Sequence, residues 1–195
     1  MMGKVVCDIA VSLDGFVTGP DDRVGNPLGD NGELLHEWVF DAGTAVDHDV
    51  FAERFKTSGA VVVGRRMFDV GFEPWGDPPP YEGLPVFVVT HEARDPIPMQ
   101  GGTTYFFVSS GIEDAIAQAK EAAGGKDVGL FGGAAIFQAC FRAGLVDQML
   151  IHVVPVLLHR GVRLFERLDG APIKLEKTRA VETPHATHLW LAVPR

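Results

Sequence analysis

The sequence is poor in cysteine, has no long apolar run and carries no excess of positive charge. Its two cysteines, Cys7 and Cys140, both lie in apolar segments, which indicates reduced core residues of a cytoplasmic protein rather than a disulfide framework. The net charge of −9 argues against a nucleic-acid or acidic-membrane surface. No segment approaches the length of a membrane span, and the first residues lack the pattern of a signal or transit peptide. We therefore expect a cytoplasmic protein with neither nucleic acid nor a membrane as a partner.

What the sequence does contain is enough apolar residues for a substantial core. Hydrophobic residues make up 46% of the 195 residues, a length that suits a single domain spanning residues 1–195. Strand-like and helical segments alternate early in the chain, whereas the strand-like segments after residue 148 follow one another without helices. This order predicts an α/β fold with a mostly parallel central sheet, helices on both faces and antiparallel C-terminal edge strands.

Residues 128–146, VGLFGGAAIFQACFRAGLV, contain the motif around which the chain is organised. A short apolar strand leads into Gly132 and Gly133, and a helix predicted over residues 134–143 follows. Without Cβ atoms the backbone lets a pyrophosphate approach, while the helix start directs free N–H groups at it. The alternative is a tight strand-to-helix turn with no ligand, and a glycine pair alone does not decide between the two.

Other predicted strands also end in residues suited to a nucleotide. One buried strand runs into Gly64, Arg65 and Arg66, and cations are disfavoured at a helix start unless an anion lies there. The alternative is a pair of solvated arginines. Another strand ends in Thr90 and His91. Because ligands bind such sheets at the carboxyl ends of the strands, these residues and the glycine pair suit a dinucleotide with an extra phosphate.

The remaining polar residues offer weaker candidates. Asp14 lies in the turn after the first strand, where it is either a catalytic acid or a bracket for nearby N–H groups. The seven histidines do not form a metal-binding set, and His185 and His188 are three apart on a strand whose side chains alternate. Residues 18–45 are too long for an ordinary loop and include a helix predicted over residues 33–40, which favours a lid that packs on the protein.

These motifs resemble the dihydrofolate reductase superfamily, and more closely the reductase domain of riboflavin biosynthesis, the RibD C-terminal domain, with its stand-alone relatives. The resemblance implies a dihydrofolate reductase-like three-layer fold and an NADPH-dependent oxidoreductase that transfers hydride to a small heterocycle. That heterocycle is either 5-amino-6-(5-phosphoribosylamino)uracil-like or pterin- or folate-like. The matching segments are SLDGF (12–16), VVVGRRMFD (61–69), VFVVTH (86–91), LFGGAAIFQACFRAGLVDQ (130–148) and HVVPVLLHRGVRLF (152–165).

The resemblance also implies where each part of NADPH binds. It implies that the glycine pair holds the pyrophosphate and that the backbone of the first strand meets the nicotinamide. It also implies that the arginine pair, with Thr90 and His91, holds the adenosine 2′-phosphate. The implied cofactor-binding residues are Ala10, Gly64, Arg65, Arg66, Thr90, His91, Phe131, Gly132, Gly133 and Ala134.

The resemblance leaves the proton source and the substrate open. Folate-reducing members carry one acid on the first helix, whereas this chain has both Asp47 and Asp49 there. Either acid is a candidate, as is Asp14 or water, and the alternative is that both charges complement the helix dipole. A nucleotide- or flavin-binding protein without turnover is the second functional hypothesis, and no metal is expected.

The late apolar segment predicts the state of assembly. Residues 148–158 are strongly apolar but include Pro155, which predicts a bulge or an edge position for that end. Because an exposed apolar edge is unfavourable, and as the resembling family implies, we expect a homodimer that buries part of it.

Overall fold

The structure, a computed structural model, describes residues 3–81, 83–166, 168 and 172–194 of the chain. The strands are β1 Val5–Ser12, β2 Phe16–Thr18, β3 Ser58–Gly64, β4 Pro85–Val89, β5 Ile97–Pro98, β6 Thr104–Val108, β7 Asp127–Phe131, β8 Gln148–Val154, β9 Val162–Arg163, β10 Glu176–Glu182 and β11 Thr187–Ala192. The helices are α1 Glu37–Phe40, α2 Ala45–Thr57, α3 Arg65–Trp75, α4 Ile112–Ala122 and α5 Ala134–Arg142, with 3₁₀ turns at Gly32–Leu35 and Gln100–Gly102.

The described strands form a nine-stranded sheet in the order β10-β11-β8-β1-β7-β3-β4-β6-β5, and β2 pairs with β9 in a small separate sheet. Strands β8, β1, β7, β3, β4 and β6 run parallel to one another. β11 is antiparallel to β8, and β10 is antiparallel to β11. The predicted fold class, a mostly parallel sheet with antiparallel C-terminal edge strands, is therefore confirmed.

The two faces of the sheet differ in character, as β1 illustrates. Val5, Cys7 and Ile9 point to one face, where they join the main apolar core with α4 and α5. Asp8 and Ala10 point to the other face, because successive side chains of a strand alternate. That second face is covered by α1, α2 and α3, so one side of the sheet is apolar and the other includes buried charge.

Helix α3 runs further than the sequence predicts. The proline-rich residues 71–85 predict an irregular loop, and that prediction was wrong over residues 71–75, since α3 continues through Gly71 and Pro74 to Trp75. A Cβ on Gly71 would overlap the Trp75 ring. The glycine therefore makes room for the indole one turn later, instead of ending the helix.

Strand β8 lies inside the sheet and pairs without a bulge on either side, so the bulge or edge position predicted for its Pro155 end was wrong. It is hydrogen-bonded to β1 on one side and to β11 on the other, and Pro155 follows the end of the strand. Within the described residues the sheet edges are β5 and β10, and almost every side chain of β10 is exposed. The apolar side chains of β8 are thus buried within the chain, and the homodimer stays a prediction that needs another reason.

The segment at residues 18–45 packs on the sheet, as its aromatic residues predict. It forms a 3₁₀ turn and then α1, in place of the single helix predicted over residues 33–40. Leu35 and Trp38 are 0% and 2% exposed and pack with Ala10 and Val154 near the ends of β1 and β8. Among the described residues, no helix has the length and apolar character needed to cross a membrane.

Candidate functional site

Two helices begin side by side at the carboxyl ends of neighbouring strands. β7 ends at Phe131 and leads through Gly132 and Gly133 into α5, while β3 ends at Gly64 and leads into α3. Because β3 and β7 are parallel partners, both helix starts lie at the same end of the strands, the carboxyl end. A Cβ on Gly132 would lie only 3.7 Å from the backbone nitrogen of Gly64. We call the residues at this edge the strand-end cradle: Gly64, Arg65, Arg66, Thr90, Gly132, Gly133 and Ala134.

No described side chain caps either helix of the cradle. The N-cap residues Gly133 and Gly64 make no side-chain hydrogen bond, and neither first turn contains an acidic residue. Helix α2 differs, because Thr44 and Asp47 form a reciprocal capping box at its start. The cradle therefore presents two positive helix ends with free N–H groups, an arrangement suited to an anion.

The glycines of the cradle leave room for a group to approach the backbone. Gly132 has a φ of +152°, in the region that L residues rarely adopt. Gly133 has an ordinary φ of −73°, and a Cβ built on it would meet nothing within 4 Å. A side chain at position 133 would therefore fill open space in front of the helix without straining the backbone.

Arg65 and Thr90, both selected from the sequence, lie next to each other. The Nη1 atom of Arg65 is 3.5 Å from Thr90 Oγ1 and donates to Glu92 Oε2 at 3.2 Å. Its Nε donates to Asp69 Oδ1 at 2.7 Å. Carboxylates thus orient this guanidinium at the rim of the cradle, where it is neither buried nor freely solvated.

Arg66 is also held by an acid, but one from a distant segment. Its Nε donates to Asp22 Oδ2 at 3.1 Å, and its Nη2 donates to the carbonyl of the same residue. The side chain remains 64% exposed. His91, the remaining residue predicted for the phosphate, is exposed beside Thr90. Arg66 therefore ties the 18–45 segment to the cradle.

A second polar cluster lies on the sheet face that α1 and α2 cover. Asp8 Oδ1 lies 3.1 Å from His152 Nε2, and His152 Nδ1 lies 2.7 Å from His188 Nδ1. His188 Nε2 in turn lies 2.9 Å from Asp47 Oδ1. The two histidines are direct partners on β8 and β11. We call these four residues the acid–histidine row: Asp8, His152, His188 and Asp47.

The Asp8 end of the row meets a cation and a cavity. Arg54 Nη1 donates to Asp8 Oδ1 at 3.0 Å, and its guanidinium lies 3.9 Å from the ring centroid of Phe51. The other carboxylate oxygen, Oδ2, is buried and has no hydrogen-bond partner among the described residues. Asp8, Arg54 and Phe131 border a cavity of about 290 Å³.

Trp38 covers the histidines of the row. Its ring centroid is 4.3 Å from that of His152 and 5.0 Å from that of His188. The indole Nε1 donates to the carbonyl of Leu35 at 2.9 Å. Trp38 also borders a second cavity, of about 210 Å³, so the indole contacts both this space and the histidine rings.

Of the three acids named from the sequence, only Asp47 belongs to the row. It is 0% exposed and accepts hydrogen bonds from Thr44 and, at 2.8 Å, from Thr183. Burial raises the pKa of Asp47, but the hydrogen bonds from Thr44, Thr183 and His188 outweigh it and bring the pKa to about 2. Asp49, two residues later, is exposed on the surface of α2.

Asp14 lies apart from both clusters and brackets a turn. Ser12 Oγ donates to Asp14 Oδ1 at 2.6 Å, and the backbone N–H groups of Leu158 and His159 donate at 3.1 and 2.8 Å. The Ser12 hydrogen bond is the main cause that lowers the pKa of Asp14 to about 2. This carboxylate joins the end of β1 to the segment after β8.

The two clusters are neighbours in the sheet. Asp8 is the register partner of Phe131, the residue before the cradle glycines. Ala10, predicted to meet the nicotinamide, is 7% exposed and is the register partner of His152. The cradle and the row therefore border the same stretch of β1 from either side.

Sequence reasoning missed Asp8, Arg54, His152 and His188 as site residues. A signal was present for the strand residues, since each is a polar residue within a mainly apolar strand: VVCDIAVS, QMLIHVV and THLWLA. A charged or polar residue in a buried strand needs a partner, so such residues indicate one another.

The described residues contain no metal-binding group of three or more His, Cys, Asp or Glu side chains. Cys7 and Cys140 are free and buried, as their apolar surroundings predict. Burial raises the pKa of Cys140 to about 12, so this thiol stays protonated at neutral pH.

Known proteins share this fold and sequence pattern. The chain is 26% identical over 172 residues to the uncharacterized protein YyaP of Bacillus subtilis, covering 83% of this chain and 80% of that protein. A putative riboflavin biosynthesis protein from Shewanella sp. PV-4 superposes with a TM-score of 0.76 at 24% identity, covering 98% and 99% of the two chains. Dihydrofolate reductase from Enterococcus faecalis, complexed with NADP(H), superposes with a TM-score of 0.62 at 15% identity, covering 99% and 97%. Residues 3–189 match the RibD C-terminal domain, and the chain therefore belongs to the RibD C-terminal domain family, whose fold is that of the dihydrofolate reductases.

Proposed function

We propose that this protein is an NADPH-dependent reductase that transfers hydride to a small heterocyclic substrate. The observation that carries the proposal is the strand-end cradle, in which two helices without side-chain caps begin next to an oriented arginine pair. The family and the fold both include reductases, and a dihydrofolate reductase of this fold was crystallised with NADP(H). Open space in front of Gly133 fits a pyrophosphate that approaches the backbone.

In this proposal each part of the cradle holds one part of NADPH. Gly132, Gly133 and the first N–H groups of α5 bind the pyrophosphate. Arg65 and Arg66 bind the adenosine 2′-phosphate, whose roughly double negative charge competes with the carboxylates that now hold the guanidinium groups. When bound, NADPH supplies the hydride, and the chain's own residues orient it and exclude water.

In this proposal the acid–histidine row lies next to the substrate. The nicotinamide meets the backbone at Ala10, the register partner of His152. The heterocycle, either a phosphoribosylamino-uracil or a pterin, lies over the same sheet face. Asp47 is the acid we retain for a role in proton supply, because Asp14 is committed to a turn and Asp49 lies at the surface.

A second candidate function is nucleotide or flavin binding without turnover. The observation that favours it is Trp38, which covers the histidines where a substrate would need to lie. NADPH oxidation measured against a panel of pterins, pyrimidines and quinones separates the two. Oxidation that depends on one of these compounds supports the reductase, whereas tight cofactor binding with no acceptor supports the alternative.

A fluorescence titration tests the cofactor site directly. Gly133→Val fills the open space at the helix start, so NADPH affinity should fall at least about tenfold, or about 1.4 kcal/mol. Gly133→Ala, which adds one methyl group, should have an intermediate effect. Both variants should keep the wild-type circular dichroism spectrum, because φ at Gly133 is ordinary. Unchanged NADPH affinity in a folded Gly133→Val protein would show that the pyrophosphate binds elsewhere.

Assembly as a homodimer remains part of the proposal. Its support is now a set of large apolar side chains that stay exposed near β2, β9 and the end of β8: Leu13, Leu157, Val162 and Phe165. Static light scattering at micromolar concentration measures the outcome, and a monomer there would rule the dimer out.

A further inference from the structure

The geometry of the acid–histidine row determines how many protons its two histidine rings carry. His152 Nε2 and His188 Nε2 face the carboxylates of Asp8 and Asp47 at 3.1 and 2.9 Å. An ionised carboxylate only accepts hydrogen bonds, so both Nε2 atoms carry a proton and donate it. The two Nδ1 atoms face each other at 2.7 Å, a distance at which two bare lone pairs would repel.

One of the facing Nδ1 atoms must therefore also carry a proton. A neutral imidazole has one N–H and an imidazolium has two, so two neutral rings supply only the two Nε2 protons. The row needs a third proton, between the rings, to complete its hydrogen bonds. Both carboxylates are in their acceptor form, because Arg54 and His152 lower the pKa of Asp8 against the effect of its burial, and the pKa of Asp47 is about 2.

We infer that His152 and His188 hold a single proton between their facing Nδ1 atoms, and that this buried cationic pair is the proton store of the reductase site. The role as a store rests on the proposed function, whereas the protonation state stands on the geometry of the row.

The charges around the pair are arranged to hold one positive charge. Asp8 of β1 and Asp47 of α2 flank it with negative charge, while Arg54 of α2 balances Asp8. With one proton shared, the cations and anions of this cluster are equal in number. His36 also lies near the pair, and its pKa is lowered mainly by burial, so that side chain is neutral and adds no charge. Glu37 and His185 border the cavity next to Trp38.

The proton is covalently bound to His152 and accepted by His188. Burial lowers the pKa of His188 by more than its hydrogen bond to Asp47 raises it, so the surroundings of this ring disfavour its charged form. The Trp38 ring is also closer to His152 than to His188, and the face of an indole attracts a cation. Trp38 therefore stabilises the charged ring and shields it from water.

One end of the row lies near solvent, and the other end borders a cavity. At one end Asp47 meets Thr44 and Thr183, both only partly buried, so protons from water can reach it. At the other end Asp8 borders the cavity of about 290 Å³. When the pair gives up its proton, both rings become neutral and the net charge of the cluster falls by one, until a proton from water restores it.

Nitrogen NMR of the full chain, labelled with 15N-histidine, tests the inference without cofactor or substrate. At pH 7 the spectrum should show both ring nitrogens of His152 protonated, and only Nε2 of His188. It should also show a strongly downfield proton for the Nδ1–H···Nδ1 hydrogen bond. Two neutral rings with one N–H each, or no such downfield proton, would overturn the inference.

Variants assign the signals and test the balance of charge. His188→Gln should abolish the downfield proton, whereas His185→Gln, on the loop before β11, should leave it in place. Asp47→Asn should lower the pH at which the pair loses its proton, and Asp49→Asn should not change it. The wild-type spectrum decides whether a shared downfield proton is present, so a variant that fails to fold does not remove that result.

The NMR result and the proposed function can fail separately. If the NMR spectrum shows the shared proton but the protein does not bind NADPH, the protonation state is confirmed. The role of the pair as a proton store for reduction is then ruled out. NADPH binding in a protein whose two rings are neutral would keep the cofactor site and overturn the inference.

Discussion

The strand-end cradle and the acid–histidine row are adjacent, yet they are built in opposite ways. The cradle consists of backbone N–H groups, glycines, partly exposed arginines and Thr90, all within a few residues of the ends of β3, β4 and β7. The row consists of four buried side chains, contributed by β1, α2, β8 and β11. The polar groups of an exposed site are hydrogen-bonded by water until a ligand binds. Buried polar groups must instead be hydrogen-bonded to one another.

This difference predicts where mutations act. Changes in the cradle should alter ligand affinity with little effect on stability, because surface ion pairs contribute about 0–1 kcal/mol. Changes in the row should mainly lower the free energy of unfolding, because replacing one member leaves the buried group next to it without a hydrogen-bond partner.

Removing the indole over the row should have the largest effect on stability. Trp38→Ala leaves a cavity above His152 and His188 and exposes them to water, which should cost roughly 3–5 kcal/mol. Phe40→Ala is the matched control, since Phe40 belongs to the same short helix but is 71% exposed. Urea unfolding measures both. A loss for Trp38→Ala no larger than that of the control would mean that the 18–45 segment is only loosely packed on the sheet.

Neutralising one end of the row should have the next largest effect. Asp47→Asn removes the charge that accepts hydrogen bonds from His188 and from Thr183, and the expected loss is roughly 1.5–3 kcal/mol, the range for hydrogen bonds to charged groups. Asp49→Asn, two residues along α2, should change the free energy of unfolding by less than about 0.5 kcal/mol. Equal effects of the two substitutions would mean that the row does not contribute to stability.

Acid should weaken the row gradually. The pKa values of Asp8 and Asp47 are lowered in the folded protein, that of Asp47 to about 2, as is that of Asp14 in its turn. The ionised forms therefore stabilise the fold fully above the unfolded value of about 4, and this stability is lost as pH falls toward 2. Thermal unfolding should show Tm falling over this range, with a smaller fall in Asp47→Asn. A Tm that is flat between pH 4 and pH 2 would contradict these pKa shifts.

The same difference explains how much could be predicted from the sequence. The parallel sheet, the helix starts and the residues of the cradle follow from local patterns, such as an apolar strand before Gly132 and Gly133. The row depends on register: His152 and His188 are 36 residues apart in the chain and meet only because β8 and β11 pair in one alignment. No local pattern specifies that alignment, although the isolated Asp8 in an apolar strand indicated a buried partner.

The two wrong predictions, for the end of α3 and for the position of β8, have the same physical origin. Gly71 and Pro74 favour ending a helix by their intrinsic propensities, but packing of Trp75 over Gly71 outweighs them. The position of β8 inside the sheet depends on β11 covering its outer side, and nothing in the sequence of β8 itself specifies this neighbour. Tertiary contacts decided both cases.

The central claim is that the cradle binds NADPH and distinguishes it from NADH by its 2′-phosphate. A titration of the two cofactors tests this claim most directly. Wild-type protein should bind NADPH at least about tenfold tighter than NADH, since charge-assisted hydrogen bonds contribute roughly 1.5–3 kcal/mol each. The preference should shrink as salt rises, because Arg65 and Arg66 are partly exposed. In the Arg65→Ala, Arg66→Ala double variant the two affinities should become similar, mainly through weaker NADPH binding. Equal affinities in the wild type, or a preference that survives in the double variant, would contradict the account.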